Sequence, residues 1–175
     1  MKLSIIIPVF NEEKTVAKIV KKVSQVEIPG TTKEIIVVDD GSTDAIASVI
    51  SNFQFPISNF KKIRHKKNKG KGAAVKTGIE NSTGDYIVVQ DADLEYNPKY
   101  IEKLVRPVLE GKSKVVYGTR LKRLPSFSKD ERTPRFLLHY IGNKFLSLIT
   151  SLLYGQWITD METCYKVFPK IAVEN

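Results

Sequence analysis

The sequence is poor in the residues that build covalent or zinc-stabilised frameworks. Its 175 residues include one cysteine, Cys164, and two histidines, His65 and His139. A single cysteine excludes a disulfide within the chain and fits a reducing compartment. The histidines do not suggest a zinc site, and Cys164 has no convincing histidine partner for a thiol nucleophile. Disulfide scaffolds, zinc modules and thiol enzymes are therefore disfavoured.

Long hydrophobic runs are also missing. No stretch reaches about 18 uninterrupted apolar residues, the length typical of a membrane-spanning helix. The apolar run near the N-terminus leads directly into Pro8 and acidic residues, so we expect a buried strand there and not a signal peptide. Apolar residues make up 42% and charged residues 27% of the chain. These values are typical of a globular protein, and the length suits one domain with one core.

The charge is strongly of one sign. The chain has 28 Lys and Arg against 19 Asp and Glu, a net charge of +9. Such an excess can serve solubility alone, or it can attract nucleic acid, an anionic membrane or phosphorylated substrates. Charge does not choose among these, but no recognisable nucleic-acid motif is present, so we expect no nucleic-acid partner.

Strand and helix patterns alternate along the chain, which predicts an α/β fold with a mostly parallel sheet flanked by helices in a single domain. The predicted strands are Leu3–Pro8, Glu34–Val38, Lys61–Arg64, Tyr86–Val89 and Lys114–Tyr117. The predicted helices are 11–26, 44–53, 70–81, 98–109 and 136–153, with Ser42 or Thr43 as a cap for the second. Residues 121–135 are basic and irregular and predict a mobile loop.

Polar clusters follow the first, second, fourth and fifth predicted strands. They are Pro8–Glu13, Asp39–Asp44, Asp91–Glu95 and Gly118–Arg120. Ligands of parallel α/β sheets bind beyond the carboxyl ends of strands, so these four clusters are expected to form one site.

The Asp91-Ala92-Asp93 segment is the most informative of these clusters. Mg²⁺ and Mn²⁺ favour oxygen ligands and are usually shared with substrate phosphates. Two carboxylates at a strand end can hold such a cation or its water shell, and Glu95 could supply a third oxygen. The alternative is a solvated surface turn, because D-x-D alone is a weak pattern.

Asp39 and Asp40 emerge together from an apolar strand, and we favour Asp40 as a partner of a base or ribose. The alternative is turn and cap chemistry alone. The Pro8–Glu13 backbone can line a base pocket, while Asn11 can also cap a helix.

Three further features carry open alternatives. The Asn68–Gly72 segment can bring backbone N–H groups, with Lys69 and Lys71, close to an anion, or it can be a flexible basic turn; it lacks the P-loop spacing. His65, Lys66 and Lys67 suggest a solvated charge run. Arg120 can clamp a diphosphate or lie on the surface. Asp160 and Glu162 can supply a general base or contact the sugar or acceptor, or can lie in an exposed turn.

Taken in order, five segments resemble family 2 glycosyltransferases of the GT-A fold, and most closely the branch of dolichyl-phosphate mannose synthase-like and polyprenyl-phosphate sugar transferases. The segments are IIIPVFNEE, EIIVVDDGSTD, NKGKGAAVKTGI, GDYIVVQDADLEYNP and VVYGTR. The resemblance runs from about residue 2 to 168, which predicts a catalytic domain over 1–168 and a tail over 169–175. Family members generally continue beyond the segment that resembles DMETCYK, so the acceptor half is expected to be incomplete.

The resemblance implies a nucleotide-diphosphate sugar donor, Mg²⁺ or Mn²⁺ as cofactor, and inversion at the anomeric carbon. It implies metal ligation by Asp91, Asp93 and the position of Glu95, which is often glutamine in this branch. Donor contacts are implied for Pro8, Phe10, Glu12, Val38, Asp40, Asp91, Ala92, Asp93 and Arg120. Lys71 is added as a neighbouring phosphate contact, and Asp93, Arg120 and Asp160 are the candidate catalytic residues.

The expected acceptor is a polyprenyl phosphate. A phosphomonoester is largely ionised at neutral pH and needs little help from a base. A saccharide or other hydroxyl acceptor would need one, and Asp160 is then the candidate. A nucleotide-sugar binding module without catalysis is the remaining alternative.

The apolar segment Phe136–Leu153 predicts either a core helix or a helix that touches a membrane or lipid acceptor. Together with the basic residues of 121–135, it predicts peripheral binding to an anionic membrane surface. We therefore expect a cytoplasmic protein that associates with the cytoplasmic membrane face.

Overall fold

In the computed structural model, residues 1–53, 59–119 and 134–173 are described, with only the backbone of residues 134–136. The chain divides into two compact units. One comprises Met1–Val116 and Tyr165–Asn175, and the other comprises Tyr117–Cys164. The first unit contains all of the sheet except Tyr117, and the second contains the longest of the described helices.

Strands and helices alternate through the first unit, as the sequence predicts. The strands are β1 (Lys2–Val9), β2 (Thr32–Asp39), β3 (Phe60–Arg64), β4 (Tyr86–Val89), β5 (Val116–Tyr117) and β6 (Lys166–Pro169). The helices are α1 (Val16–Ser24), α2 (Ile46–Ser51), α3 (Lys71–Glu80), α4 (Tyr100–Leu109) and α5 (Pro134–Tyr154), and a 3₁₀ helix follows at Lys170–Val173.

The six strands form one sheet in the order β3-β2-β1-β4-β6-β5. Strand β1 pairs in parallel with β2 and β4, and β2 pairs in parallel with β3. Strand β6 is antiparallel to β4. The predicted α/β class with a mostly parallel sheet is confirmed. Strand β6 was not predicted, because its four residues, KVFP, show no strand periodicity. The 3₁₀ helix falls within the predicted tail.

The centre of the sheet explains why β1 and β2 form. Their long apolar runs are buried on both faces, as expected for parallel strands covered by helices. Helices α1 and α4 cover the sheet with stripes of buried apolar side chains at helical spacing. These side chains are Val16, Ile19, Val20 and Val23 in α1, and Ile101, Leu104 and Val105 in α4.

The predicted cap of α2 is wrong. The helix begins at Ile46, and neither Ser42 nor Thr43 caps it. Instead, the Ile46 N–H donates to Asp44 Oδ1 at 3.2 Å. Ser42 and Thr43 are engaged with the loop that follows β1, which the sequence pattern could not reveal.

A buried carboxylate fastens the amino ends of β1 and β2. Glu34 is 1% exposed, and its oxygens accept hydrogen bonds from Ser4 Oγ (2.5 Å) and from the Thr83 N–H (2.5 Å) and Oγ1 (2.9 Å). Lys2 and Lys61 each place Nζ 3.8 Å from Glu34 Oε2. Burial alone would raise the pKa of Glu34, but the hydrogen bonds and Lys2 hold the pKa below its usual value.

Glu34→Gln is therefore expected to lower the free energy of unfolding by about 2 kcal/mol at neutral pH, because a charged acceptor is lost from a buried network. The folded-state pKa lies below the unfolded value near about 4.3, so this contribution is present above that pH and is lost as the pH falls through the folded pKa. Urea unfolding of both proteins from pH 7 to pH 3 measures it. A stability difference that grows toward low pH would contradict the assignment.

Helix α5, in the second unit, turns its polar side inward. Asn143, Ser147 and Ser151 follow one another at four-residue spacing, and all three are buried. Asn143 Nδ2 donates to Asp160 Oδ1 at 2.8 Å, the Met161 N–H donates to Ser147 Oγ at 2.9 Å, and the Ile158 N–H donates to Ser151 Oγ at 2.9 Å. The polar seam thus fixes the segment that follows the helix.

The other side of α5 is apolar and exposed. Leu138 is 74% exposed, Phe145 61% and Leu152 75%. Further exposed apolar side chains on the helix and just after it are Leu137, Ile141, Leu148, Leu153, Tyr154 and Trp157. No helix in the described part of the chain is long and apolar enough to cross a bilayer.

Candidate nucleotide and metal site

A cleft opens where the sheet order reverses. From β1 the chain adds β2 and β3 on one side, and then β4 on the other. The carboxyl ends of β1 and β4 therefore diverge into a crevice, the usual ligand site of such sheets. The cleft has a volume of about 290 Å³. It is lined by Pro8, Val9, Phe10, Glu12, Asp40, Asn68, Lys71, Ala74, Asp91, Ala92 and Asp93.

The loops after β1 and β2 brace each other. The Asn11 N–H donates to Ser42 Oγ at 3.0 Å, and the Thr43 N–H donates back to Asn11 Oδ1 at 2.9 Å. A second reciprocal pair joins Glu13 with Asp44 and Ala45. Asn11 has a φ of 55°, a left-handed conformation that asparagine tolerates better than most residues. Asn11 therefore holds two loops together and does not cap α1, which begins only at Val16.

Asp40 fastens a third loop to the end of β2. Its carboxylate is 2% exposed and accepts the Lys69 N–H at 3.0 Å, the Gly70 N–H at 2.7 Å, and His65 Nδ1 at 2.6 Å. Burial alone would raise the pKa of Asp40, but the hydrogen bonds from His65, Lys69 and Gly70 hold that pKa below its usual value. Asp40 is thus an ionised anchor at the wall of the cleft.

The interpretation of His65 as part of a solvated charge run is wrong. The imidazole is 7% exposed, and its Nε2 lies 2.9 Å from Thr77 Oγ1 in α3. Lys66 and Lys67 beside it are exposed, as predicted. The burial of His65 could not be predicted from the basic run around it, because its partners Asp40 and Thr77 are distant in sequence.

The Asp91–Asp93 turn provides the acidic side of the cleft. Lys71 Nζ lies 2.5 Å from Asp91 Oδ1, so a cation from α3 faces this carboxylate across the cleft. Asp93 is exposed, and its Oδ1 accepts the Glu95 N–H at 2.9 Å. Glu95 is also exposed but is not among the residues that line the cleft.

Buried side chains that the sequence analysis missed fix this turn. Gln90 is fully buried; its Nε2 donates to the carbonyls of Asp91 (2.9 Å) and Tyr96 (3.2 Å), and Tyr165 donates its hydroxyl to Gln90 Oε1 at 2.7 Å. Leu94 has a φ of 67°, a strained conformation for leucine and typical of a turn shaped for a ligand. An amide ending the apolar strand YIVV was the one available sequence signal.

The donor set at this turn suits Mg²⁺ or Mn²⁺. Asp91 and Asp93 both line the cleft with carboxylate oxygens, and Mg²⁺ commonly takes one or two protein carboxylates with the remaining positions filled by water and substrate phosphates. Within the described ranges, no three His, Cys, Asp or Glu side chains gather as a ready-made metal cage. The geometry thus fits a cation shared with a ligand.

The other predicted site residues fall into four groups. Pro8, Phe10, Glu12 and Ala92 line the cleft, as the resemblance implies. Val38 is buried in a core cluster with Ile36 and Ala74 and does not line it. Asp160 is 1% exposed in the second unit, so the alternative of an exposed turn is wrong for its side chain. Arg120 lies outside the described residues.

Comparison with known proteins decides the family. The chain matches the family model described as Glycosyl transferase family 2 over residues 4–174. The chain belongs to glycosyl transferase family 2. The predicted family, and with it the predicted enzyme class, is confirmed.

Curated relatives of this family 2 chain include lipid-phosphate sugar transferases. It is 30% identical to the UDP-N-acetylglucosamine–dolichyl-phosphate N-acetylglucosaminyltransferase of Methanococcus voltae, with 97% of this chain and 70% of the relative covered. It is 34% identical to a dolichyl-phosphate beta-glucosyltransferase of Trichomonas vaginalis, with 95% and 51% covered.

Solved structures share the fold. Glucosyl-3-phosphoglycerate synthase from Mycobacterium tuberculosis, in complex with Mn²⁺, UDP and phosphoglyceric acid, matches with a TM-score of 0.66 at 20% identity, covering 97% of this chain and 56% of that one. The predicted GT-A fold is confirmed. The family 2 chain thus spans about half the length of this structure and of the Trichomonas relative.

Proposed function

We propose that this family 2 chain is the donor-binding catalytic part, over about residues 1–168, of a metal-dependent inverting transferase. It would move a sugar from a nucleotide diphosphate to a polyprenyl phosphate. The observation that carries the proposal is the cleft at the switch point of the sheet, which is lined by Asp91, Asp93 and Lys71 and in which Lys71 Nζ lies 2.5 Å from Asp91 Oδ1. Carboxylates for a cation and an amine for phosphate in one crevice are what a nucleotide-diphosphate donor requires.

The proposed division of the cleft follows from its lining. The nucleoside lies between Pro8, Phe10 and Asp40, where an exposed aromatic ring meets a buried acceptor. The diphosphate lies toward Asp91, Asp93 and Lys71. The third ligand position of Glu95 stays a prediction, and so does the donor contact of Val38.

The reaction requires stabilisation of a departing nucleotide diphosphate. A divalent cation supplies Lewis-acid charge for this step when it is bound. Asp91 and Asp93 would hold that cation at the end of β4, and Lys71 would add a positive charge from α3. Arg120 is proposed for the same task because it follows β5 in the sequence.

The proposed acceptor rests on the names of the relatives and on acid–base chemistry. Both curated relatives are named as acting on dolichyl phosphate. A phosphate acceptor is largely ionised at neutral pH and can attack the anomeric carbon without a general base. Asp160 accepts a hydrogen bond from Asn143 in a buried network, so the role of base for a hydroxyl acceptor gains no support.

Peripheral attachment to an anionic membrane belongs to the same proposal. A polyprenyl phosphate resides in a bilayer, so its transferase must reach the bilayer surface. The exposed apolar side of α5 supports this, since its polar residues face inward. The basic residues 121–135 precede and begin that helix in sequence. Placement on the cytoplasmic face remains a prediction.

Calorimetry with nucleotide diphosphates tests the donor site. We expect UDP or GDP to bind the chain more tightly with Mn²⁺ than with EDTA, because Asp91 and Asp93 would hold a cation whose positive charge attracts the diphosphate. The matching nucleoside should bind equally under both conditions. If the nucleotide affinity is the same with Mn²⁺ and with EDTA, the site is not metal-dependent. If neither nucleotide binds, the assignment of the cleft as the donor site is wrong.

A further inference from the structure

The buried histidine behind the cleft has no place in the donor chemistry, yet it is bound on both sides. His65 follows β3, and its backbone N–H donates to the Asp39 carbonyl at 2.8 Å. Its two ring nitrogens reach Asp40 in one direction and Thr77 in the other. A buried polar side chain that is satisfied at both ends fixes the elements that it joins.

The two partners determine the tautomer. An ionised carboxylate only accepts hydrogen bonds, so Nδ1 carries the proton that is donated to Asp40 Oδ1. In the neutral ring, Nε2 then accepts the Thr77 hydroxyl proton. The imidazole thereby orients the Asp40 carboxylate, leaving it to receive the Lys69 and Gly70 N–H groups.

Close packing makes this arrangement specific. Gly41 has a φ of 71°, and a Cβ there would lie 2.5 Å from the Lys67 carbonyl carbon. The segment after His65 therefore passes directly over the turn that follows Asp40. A Cβ at Gly78 would collide with Ile6, so α3 approaches β1 closely. That close approach lets Thr77 reach the imidazole.

We infer that His65 is a positioning residue of the nucleotide cleft, which holds the Asp40 carboxylate and, through it, the Asn68–Lys71 segment. Asn68 and Lys71 both line the cleft, and the two amides between them are the ones that Asp40 binds. His65 touches no reacting group and acts through Asp40. This inference rests on the proposed function, because the ligand it concerns is the nucleotide.

Two substitutions distinguish the roles of the two ring nitrogens of His65. The side-chain amide of His65→Asn places an N–H donor at the position of Nδ1, whereas that of His65→Gln places one at the position of Nε2. We expect His65→Gln to weaken UDP or GDP binding about tenfold in EDTA, which corresponds to about 1.4 kcal/mol. We expect His65→Asn to bind within about threefold of the wild type, a change below about 0.7 kcal/mol, because it retains a donor to Asp40. The turnover number at saturating donor should be unchanged in both variants.

The neighbouring substitution Lys66→Gln is the matched control, since Lys66 is exposed and has no assigned role. Amide chemical shifts of Lys69 and Gly70 give a second measurement that needs no ligand. They should move in His65→Gln and stay near the wild type in His65→Asn and Lys66→Gln. A wild-type spectrum should also show the Nδ1-protonated tautomer of His65.

The outcomes separate the two claims. Wild-type protein that binds neither nucleotide contradicts the proposed function, while the amide shifts still report on the role of His65. Equal nucleotide affinities of His65→Gln and His65→Asn, or a loss confined to the turnover number, would overturn the inference. If His65→Gln does not fold, two other results would overturn the inference. One is a change in the Lys69 and Gly70 amide chemical shifts in a folded His65→Asn variant. The other is a wild-type spectrum that shows His65 protonated at Nε2 and not at Nδ1.

Discussion

Asp93→Asn is expected to lower the affinity for a nucleotide diphosphate in the presence of Mn²⁺ by on the order of 100-fold, the upper end of what even outer-shell changes cost at metal sites. The substitution keeps the size of the side chain and removes one carboxylate charge from the cleft. Asp93 is exposed in the turn that follows β4, so the fold should be unaffected. Calorimetry with UDP and GDP, each with Mn²⁺ and with EDTA, measures the effect.

The control must remove a carboxylate charge at a position outside the cleft, on an element that contributes to it. Glu80→Gln does so at the last residue of α3, nine residues along the helix from Lys71, where Glu80 is exposed. It should bind like the wild type under both conditions. In EDTA, Asp93→Asn should bind no more weakly than the wild type, because the proposed role of the lost carboxylate is only to hold the cation. Equal Mn²⁺-dependent affinities of Asp93→Asn and wild type would sink the metal assignment.

Removing the basic residues of 121–135, which precede and begin α5 in sequence, is expected to abolish binding to anionic vesicles at low salt. Each basic group near an anionic bilayer contributes about 1 kcal/mol, so the loss of all five, about 5 kcal/mol, predicts an affinity drop of roughly several thousandfold. The variant replaces Lys122, Arg123, Lys129, Arg132 and Arg135 with glutamine. Co-sedimentation with anionic and neutral vesicles, at low and high salt, measures it.

A second variant tests the apolar side of α5 separately. Leu138→Gln, Phe145→Gln and Leu152→Gln together remove exposed apolar surface without changing charge, and they should weaken binding to anionic vesicles at both salt concentrations. The control with the same charge loss places glutamine at five exposed lysines elsewhere, namely Lys14, Lys18, Lys21, Lys22 and Lys99. If this control and the basic-segment variant bind vesicles equally, the attraction depends only on total charge. That result would contradict a membrane-binding surface formed by residues 121–135 and α5.

Local patterns were enough to predict the centre of the fold. The apolar runs in β1, β2 and β4 are unbroken and end in polar residues, so strand identity and the strand-end site could both be predicted from sequence. The cleft contains Asp40, Asp91 and Asp93, as expected. The helix starts were less predictable: α1 begins at Val16 because the loop before it pairs with the loop after β2.

Long-range contacts explain what the sequence did not reveal. His65 looked like one more polar residue in a basic run, because its partners are 25 and 12 residues away. Gln90 depends on Tyr165, which is 75 residues away. Strand β6 is short and pairs only in the folded sheet. An amphipathic helix usually buries its apolar side, but α5 buries a polar one. Its serines and Asn143 bind the segment that follows the helix, and its leucines are exposed.

Sugar transfer to a lipid phosphate tests the proposed transferase activity of this chain directly. The chain is incubated with Mn²⁺ and a radiolabelled UDP-sugar or GDP-sugar, with and without polyprenyl phosphate, and label is counted in the lipid and aqueous phases. We expect Mn²⁺-dependent label in the lipid phase, which is lost in Asp93→Asn and retained in Glu80→Gln. Mn²⁺-dependent donor binding with no label in the lipid phase for any donor would contradict it.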